Sequence, residues 1–349
     1  MNPKNVETLL REQVEKATGE SAATAPVQPL VAQASAARSY FRVGTPPKSH
    51  VCMLMTEDGQ KSEEIGKGGA STELPFLNVH RYLEALGVRV PHILRYDAEA
   101  RTMVIEDLTD QTFEKALASG HSREDLYGRA IDLLARLRVE AEKNPDPACI
   151  AFGRSFDVDL YDWELHHFRE WGLEVWSGRK PDETTRAELD RQFRAIAESL
   201  ADAPTGFTHR DYQSRNIMVK DGELVVIDFQ DALLGPRQYD LVALLRDSYI
   251  ELDEGFVDAM LDRYVQAFEA AGGEAIEVGP FKAYFHLLTV QRKLKDAGRF
   301  EFIHRVRGNP GFLPSIPASL RYVKAAFRHR PELAPLQALL ADFVPELGA

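Results

Sequence analysis

The chain has 349 residues, with 42 Lys and Arg against 54 Asp and Glu, so its formal net charge is −12. This length accommodates one large domain or two smaller ones, and an apolar content of 44% is typical of a globular protein rather than a disordered one. An acidic chain repels phosphate backbones, which argues against nucleic acid as a partner. The two cysteines, Cys52 and Cys149, are far apart and predict neither a disulfide framework nor a structural zinc site.

Targeting signals are absent from the sequence pattern. The N-terminus has no apolar segment typical of a signal peptide, and no apolar run approaches the roughly 20 residues that span a bilayer. We therefore expect a cytoplasmic protein with no membrane partner, and we expect it to be a monomer.

The first third of the chain is rich in strand patterns. A charged amphipathic helix is predicted over residues 5–17, and a second helix with one apolar face is predicted from Pro75 to Leu86. Short runs of β-branched, aromatic and apolar residues predict strands. These strands are Val27–Val31, Ser39–Val43, Val51–Met55, His92–Tyr96 and Thr102–Leu108.

After about residue 110 the periodicity becomes mostly helical, interrupted by one strand-turn-strand segment from Asn216 to Phe229. Helices are predicted near 126–137 and 160–171, and over 186–200, 236–250, 254–271, 280–297 and 317–328. The pattern predicts an α+β fold with a small β-rich lobe (1–107) and a larger helical lobe (108–349), joined by a connector near Glu106–Thr109. A cleft between two lobes is a favoured place for a ligand.

Three polar residues are brought together by one predicted hairpin. Asp221-Gly222 is a strong signal for a type I′ turn, because both of its positions need positive φ. Pairing across this turn places Asn216 opposite Ile227 and beside Asp228, while Asp211 lies in the loop leading into the hairpin. A regular pleat would point Asn216 and Asp228 to opposite faces, so one of them must leave the regular strand.

These side chains suit phosphoryl transfer. Amide and carboxylate oxygens are ligands for Mg²⁺, which binds through few protein groups and completes its shell with water and substrate phosphates. A second carboxylate can take a proton from an attacking hydroxyl. Acidic residues that merely solvate a loop are the alternative, but the full pattern H-x-D-x₄-N, then a hairpin, then D-F-Q makes the functional interpretation the stronger one.

This pattern resembles the aminoglycoside-phosphotransferase-like kinases, which are relatives of protein kinases and choline kinases. Over about residues 27–323 the chain more narrowly resembles the bacterial N-acetylmuramate/N-acetylglucosamine anomeric kinases of cell-wall recycling. The stretches that carry this likeness are Gln33–Arg42, Val104–Leu108, Asp228–Leu241 and Gln291–Phe300. The resemblance implies a protein-kinase-like fold, with an N-terminal lobe that binds ATP and a C-terminal lobe that binds the acceptor and catalyses transfer.

Carried over residue by residue, the resemblance implies that Asp211 is the catalytic base and that Asn216 and Asp228 hold Mg²⁺. His209 and Asp240 match positions that brace the catalytic loop, and we expect them to have structural roles.

For the nucleotide, the resemblance implies that backbone groups of Glu106 and Leu108 bind adenine. The phosphate-covering turn lacks the glycine-rich pattern of the wider family, and small residues that include Ser35 and Ser39 replace it.

The wider family also carries a lysine on the third strand that holds the phosphates, but Val51–Met55 contains none. Arg42 on the preceding strand is our candidate to replace it, with an ordinary exposed strand arginine as the equal alternative. Lys61 and Lys67 are weaker candidates.

For the acceptor, the resemblance points to Glu164, Gln291 and Arg292 as binding residues. Trp163 and Trp171 can stack on a sugar, but aromatic residues at helical spacing are more often core, and we expect them there.

The expected activity is ATP- and Mg²⁺-dependent phosphorylation of the anomeric hydroxyl of an amino sugar. Two alternatives stay open. One is a kinase for another hydroxyl compound, such as an aminoglycoside, an amino alcohol or a different sugar. The other is a nucleotide-binding pseudokinase with a regulatory role, which the missing lysine supports and the intact set Asp211, Asn216 and Asp228 argues against.

Overall fold

The computed structural model describes residues 3–30, 38–56 and 73–348, so Ser35, Lys61 and Lys67 lie outside the described residues. The N-terminal part is a five-stranded antiparallel sheet in the order β1-β2-β3-β5-β4, accompanied by two helices. Its elements are α1 (Pro3–Thr18), β1 (Val27–Leu30), β2 (Arg38–Thr45), β3 (Lys48–Met55), α2 (Pro75–Ala85), β4 (Ile93–Asp97) and β5 (Thr102–Glu106). Every element predicted in this region is confirmed to within a few residues.

The two faces of this sheet have different partners, because successive side chains of a strand point to opposite sides. On the outer face, Val43 and Cys52 pack with Leu10 and Val14 of α1 in a separate apolar cluster. On the other side, which we call the inner face, Met53 and other apolar side chains join the main core beneath the sheet. The inner face therefore looks toward the rest of the molecule.

The C-terminal part is mostly helical. Its helices are α3 (Phe113–Ala118), α4 (Arg123–Lys143), α5 (Val158–Phe168), α6 (Glu183–Ala201), α7 (Tyr239–Leu245), α8 (Glu254–Ala270), α9 (Val278–Arg307), α10 (Ile316–Arg328) and α11 (Ala334–Ala341). Its strands are β6 (Thr205–Thr208), β7 (Ile217–Lys220), β8 (Glu223–Val226) and β9 (Leu233–Pro236). Among the residues that the structure covers, no helix has both the length and the apolar character needed to cross a bilayer.

Strands β6 and β9 were not predicted from the sequence. Because β9 extends to Pro236, the helix that was predicted from residue 236 is shorter than expected. β9 pairs antiparallel with β6 in the register Thr205↔Pro236. The helix expected over 236–250 consequently begins only at Tyr239. Each strand has four residues, too few to show a period, so only the contact between segments distant in sequence identifies them.

The predicted hairpin is confirmed. Asp221 and Gly222 both have positive φ, 51° and 81°, as a type I′ turn requires. β7 and β8 pair in the expected register, Ile217↔Val226. The pairing continues one step further, because the Ile227 N–H donates to the Asn216 carbonyl at 3.0 Å.

Candidate active site

The loop before the hairpin is held by a buried carboxylate. Asp240, near the start of α7, accepts the backbone N–H groups of His209 at 2.7 Å and Arg210 at 2.9 Å. Arg210 has a left-handed backbone with φ of 78°, and these two hydrogen bonds offset part of the cost of that conformation. They turn the chain so that Asp211 follows at the partly exposed end of the loop. The bracing role expected for Asp240 agrees with these contacts.

His209 braces the same loop as a neutral ring. Its Nδ1 accepts the Asp211 N–H at 3.2 Å, so its proton is on Nε2, which donates to the Ile227 carbonyl at 3.0 Å. Complete burial lowers the pKa of His209, which keeps the ring uncharged at neutral pH. The ring thereby connects the loop of Asp211 to the end of β8.

Asp228 leaves the regular strand, which places it on the same side as Asn216. β8 ends at Val226, and Asp228 has a φ of 64°. Asn216 Nδ2 donates to the Asp211 carbonyl at 2.9 Å and lies 3.5 Å from Asp228 Oδ2. Gln230, which the sequence reading did not select, donates to Asp228 Oδ1 at 2.8 Å. The structure thus brings Asp211, Asn216 and Asp228 together.

This end of the cleft favours a cation. Desolvation by the surrounding protein and the neighbouring charge of Asp211 raise the pKa of Asp228, although this residue is exposed, and desolvation also raises the pKa of half-buried Asp231. Because the amide nitrogen of Asn216 is engaged by the protein, its Oδ1 remains as a hard oxygen ligand beside the Asp228 carboxylate. An amide oxygen and a carboxylate are a donor set that fits Mg²⁺.

Arg292 lies next to Asp211 although it is 81 residues away in the chain. Its Nη2 is 3.4 Å from Asp211 Oδ1, and the side chain is only 1% exposed. The guanidinium carbon lies 4.4 Å from the centroid of the Tyr239 ring. Its Nη1 is buried and has no hydrogen-bond partner among the described residues. Arg292 therefore presents a fixed positive charge at the base of the cleft.

Glu164 and Gln291 form a buried pair near Arg292. Gln291 Nε2 donates to Glu164 Oε2 at 2.7 Å, and neither side chain is exposed. The other oxygen of Glu164 lies 3.9 Å from Lys295 Nζ and 4.0 Å from Arg210 Nη2. Because Arg210 adjoins Asp211, the three predicted acceptor residues lie in one cluster with the predicted base.

Trp163 is not a core residue, so that expectation is wrong. It is 45% exposed and lines a cavity of about 420 Å³, since its position on α5 faces outward beside buried Glu164. Trp171 is half-buried and contacts His167 and Phe302, with ring centroids 6.3 Å and 5.1 Å away. Of Trp163 and Trp171, Trp163 is therefore the one that a ligand can reach.

A close approach between α5 and α9 positions this cluster. A Cβ atom on Gly298 would lie 2.7 Å from the Phe168 Cα atom and 3.3 Å from the His167 carbonyl oxygen. Both neighbours are backbone atoms, so they cannot move aside as a flexible side chain would. Glycine at 298 thus sets the spacing between the helix that carries Glu164 and the helix that carries Gln291 and Arg292.

We expect Gly298→Ala to lower the free energy of unfolding by about 1–3 kcal/mol through overpacking. The matched control is Gly279→Ala, because Gly279 is on the same helix and nothing lies within 4 Å of the added carbon. That control should be neutral or slightly stabilising. Denaturant unfolding of both variants checks this, and equal effects would contradict the close approach.

The connector Glu106–Thr109, which we call the hinge, is held by ion pairs. Arg89 Nη2 donates to both oxygens of Glu106 at 2.7 Å, and Lys220 Nζ donates to Glu106 at 2.9 Å. Burial opposes ionisation, but these hydrogen bonds outweigh it and lower the pKa of Glu106 to about 2. Leu108 packs with Met218 and Val225 in a small buried apolar cluster between hinge and hairpin.

Arg42 was our candidate to hold the phosphates, but in the structure its side chain lies at the hinge. Its Nε and Nη2 donate to Asp107 at 2.6 Å and 3.0 Å, and further hydrogen bonds go to Asp110. Arg42 therefore neutralises acids at the hinge. Ser39 pairs with Leu54 across the sheet and is exposed. By the alternation of side chains along β2, it lies on the outer face.

Three residues that contact the predicted site residues were not predicted from the sequence. Gln230 donates a hydrogen bond to Asp228, and Lys220 donates one to Glu106. The ring of Tyr239 lies against the guanidinium of Arg292.

The sequence and the fold are both similar to those of known proteins. A family profile described as "Phosphotransferase enzyme family" matches residues 30–275. The chain is 33% identical over 271 residues to an N-acetylmuramate/N-acetylglucosamine kinase of Neisseria meningitidis, covering 77% of this chain and 79% of that protein. It is 34% identical over 272 residues to the protein of the same name from Pseudomonas aeruginosa, covering 77% of each chain.

The fold is similar to that of a solved, ADP-bound aminoglycoside phosphotransferase, with a TM-score of 0.58 and 13% sequence identity. That alignment covers 94% of this chain and 99% of the other. The protein-kinase-like two-lobed fold expected from the sequence is confirmed.

Proposed function

The chain belongs to the phosphotransferase enzyme family and is a small-molecule phosphotransferase, and on that premise we propose that it phosphorylates the anomeric hydroxyl of an amino sugar with MgATP. The acceptor would be of the N-acetylmuramate or N-acetylglucosamine type. The observation that carries this acceptor is the similarity, at 33–34% identity, to kinases named for those two sugars. Such a reaction belongs to cell-wall recycling in the cytoplasm, where MgATP is available.

In this proposal each residue of the cleft has one role. Asp211 takes the proton of the anomeric hydroxyl while that oxygen bonds to the γ-phosphorus, and the bond from phosphorus to the β-phosphate oxygen breaks. The products are a sugar 1-phosphate and ADP. An anomeric hydroxyl is more acidic than an ordinary alcohol, so a carboxylate is a sufficient base.

Asn216 and Asp228 would hold the magnesium ion, which neutralises charge on the phosphates when it is bound. Backbone groups of Glu106 and Leu108 at the hinge would bind the adenine ring. Leu108 supports this assignment because its apolar cluster with Met218 and Val225 lies directly beside the hinge.

Glu164, Gln291 and Arg292 would bind the acceptor. The support is their place in one cluster with Asp211, together with the exposed ring of Trp163, which precedes Glu164 on the same helix. The carboxylate of Glu164 can accept sugar hydroxyls, and the Trp163 ring offers an apolar surface to a pyranose.

A panel of acceptors with MgATP tests the proposed reaction. We expect ADP release with N-acetylglucosamine and N-acetylmuramate, and phosphorus NMR should identify a phosphate on C1. The methyl glycoside of N-acetylglucosamine is the matched control, because its C1 oxygen is blocked and it should not react. Turnover of that glycoside, or of only choline or an aminoglycoside, would overturn the proposed acceptor, and firm MgATP binding without any turnover would favour the pseudokinase.

The acceptor residues have their own test. We expect Glu164→Gln to raise the KM for the sugar about tenfold or more, because hydrogen bonds to a charged group are stronger than those to an amide. The KM for ATP should stay near the wild-type value, which also reports that the fold is intact. Asp159→Asn on the same helix is the control, since Asp159 is 71% exposed. Equal changes in both KM values would speak against a role in acceptor binding.

A further inference from the structure

The inner face of β3 offers no cation to a nucleotide. The residues of β3 that share this face are Ser49, Val51, Met53 and Met55; all four are buried and none is charged. A bound triphosphate carries several negative charges, and the acids at the end of the hairpin repel it further. A positive side chain from another element must therefore meet the phosphates.

The pairing of strands shows which end of the sheet lies near the phosphates. β3 pairs with β5 in the register His50↔Glu106, so the beginning of β3 is the hinge end. The far end of β3 is Met55, and its partner on β2 is Arg38. Asp228, the proposed magnesium ligand, is within electrostatic reach of Arg38. A nucleotide with its base at the hinge and its phosphates beside that magnesium would therefore extend toward this far end.

Arg38 and Arg42 share the inner face of β2, with Arg38 at the first residue of the strand and Arg42 near its middle. They are four positions apart, which is about 13 Å along a strand. Arg42 faces Asp107 and Asp110 at the hinge. Arg38 is at the phosphate end and is partly buried.

The side chain of Arg38, on the inner face of the sheet, has a hydrogen-bond donor that no described residue uses. Its Nε is buried and has no hydrogen-bond partner among the described residues. The positive charge of Arg38 is close enough to Asp228 and Asp231 to act on both carboxylates. The guanidinium thus acts across the cleft on the two acids at the end of the hairpin.

We infer that Arg38 binds the phosphates of the nucleotide and supplies the positive charge that β3 does not provide. This inference rests on the proposed use of MgATP, and it is independent of which acceptor is phosphorylated. A guanidinium presents two parallel N–H donors to phosphate oxygens, whereas an ammonium acts as a point charge. Arg42 has a structural role at the hinge, because its N–H donors are already bonded to Asp107 and Asp110.

Nucleotide binding to the full chain without acceptor tests this assignment. We expect Arg38→Met to weaken MgATP binding about 10- to 100-fold, as loss of a charge-assisted contact would. Adenosine, which has no phosphates, should bind Arg38→Met and the wild type equally. Arg38→Lys should recover part of the MgATP affinity, because the charge is retained and the paired donors are lost. Arg95→Met is the control, since Arg95 lies on the same sheet and pairs with Asp97.

Three results would overturn the inference. Unchanged MgATP affinity in Arg38→Met would show that Arg38 does not contact the phosphates. An equal loss for adenosine and MgATP would mean that Arg38 only maintains the sheet. No MgATP binding by the wild type would overturn both this inference and the proposed cofactor, whereas failure of the sugar panel alone would leave the MgATP result standing in support.

Discussion

Replacing Asp211 with asparagine is expected to lower kcat about 10²- to 10⁴-fold, which is the usual contribution of a positioned general base. Asparagine has nearly the same shape, and the loop is held by contacts that do not use the Asp211 carboxylate. Asp240 accepts the preceding N–H groups, and Asn216 donates to the Asp211 carbonyl. The charge and the proton acceptor are lost, and the ion pair with Arg292 at 3.4 Å is lost with them. None of these contacts holds the hinge, so MgATP binding should stay near the wild-type value.

The matched control for this change is Asp221→Asn. Asp221 is exposed at the turn of the hairpin with a φ of 51°, and asparagine tolerates that conformation well. Steady-state kinetics with saturating MgATP and acceptor, together with nucleotide titration, measures both variants. If Asp211→Asn kept more than about a tenth of the wild-type kcat, general-base catalysis by Asp211 would be wrong.

The second large effect is on stability. We expect Arg42→Met to lower the free energy of unfolding by about 3–5 kcal/mol, because removing one member of a buried ion pair leaves an uncompensated charge. The Arg42 and Asp107 side chains are only 8% and 3% exposed. Asp107 would keep two weaker donors, the Ser49 hydroxyl at 2.6 Å and the Thr109 N–H at 2.8 Å.

Denaturant unfolding measures this loss, and Arg81→Met is the control. The Arg81 pair with Glu73 is also bidentate, but its members are 63% and 33% exposed, so it should contribute about 1 kcal/mol or less. The double variant Arg42→Met, Asp107→Leu should recover most of the loss, because no buried charge remains. Equal losses in Arg42→Met and Arg81→Met would contradict a buried pair at the hinge.

This contribution should depend on pH with a defined sign. Burial opposes ionisation of Asp107, but the hydrogen bonds from Arg42 and Ser49 outweigh it and lower the pKa of Asp107 below its ordinary value of 3.8. A carboxylate whose pKa is lowered by folding stabilises the protein above the unfolded pKa and loses that contribution as the pH falls. The difference between wild type and Arg42→Met should therefore be constant near neutrality and shrink below about pH 4.

Local chemistry was sufficient to predict the hairpin and the residues it gathers. Positive φ at Asp221-Gly222 selects the turn, the turn selects the register, and the register brings Asn216 beside Asp228. Long helices such as α4, α8 and α10 were predictable for a similar reason, because their apolar period repeats over several turns.

The positions of other side chains depended on contacts between segments that are distant in the sequence. Arg38 and Arg42 have the same local pattern, and only the pairing of β2 with β3 and of β3 with β5 distinguishes the phosphate end from the hinge end. Helical spacing likewise predicts a core position for Trp163, which the packing of α5 instead leaves exposed. The sequence by itself therefore determined the hairpin, the three polar side chains that it gathers and most of the elements, but not β6 and β9. The partner of each charged side chain depended on which distant backbone lies next to it in the folded protein.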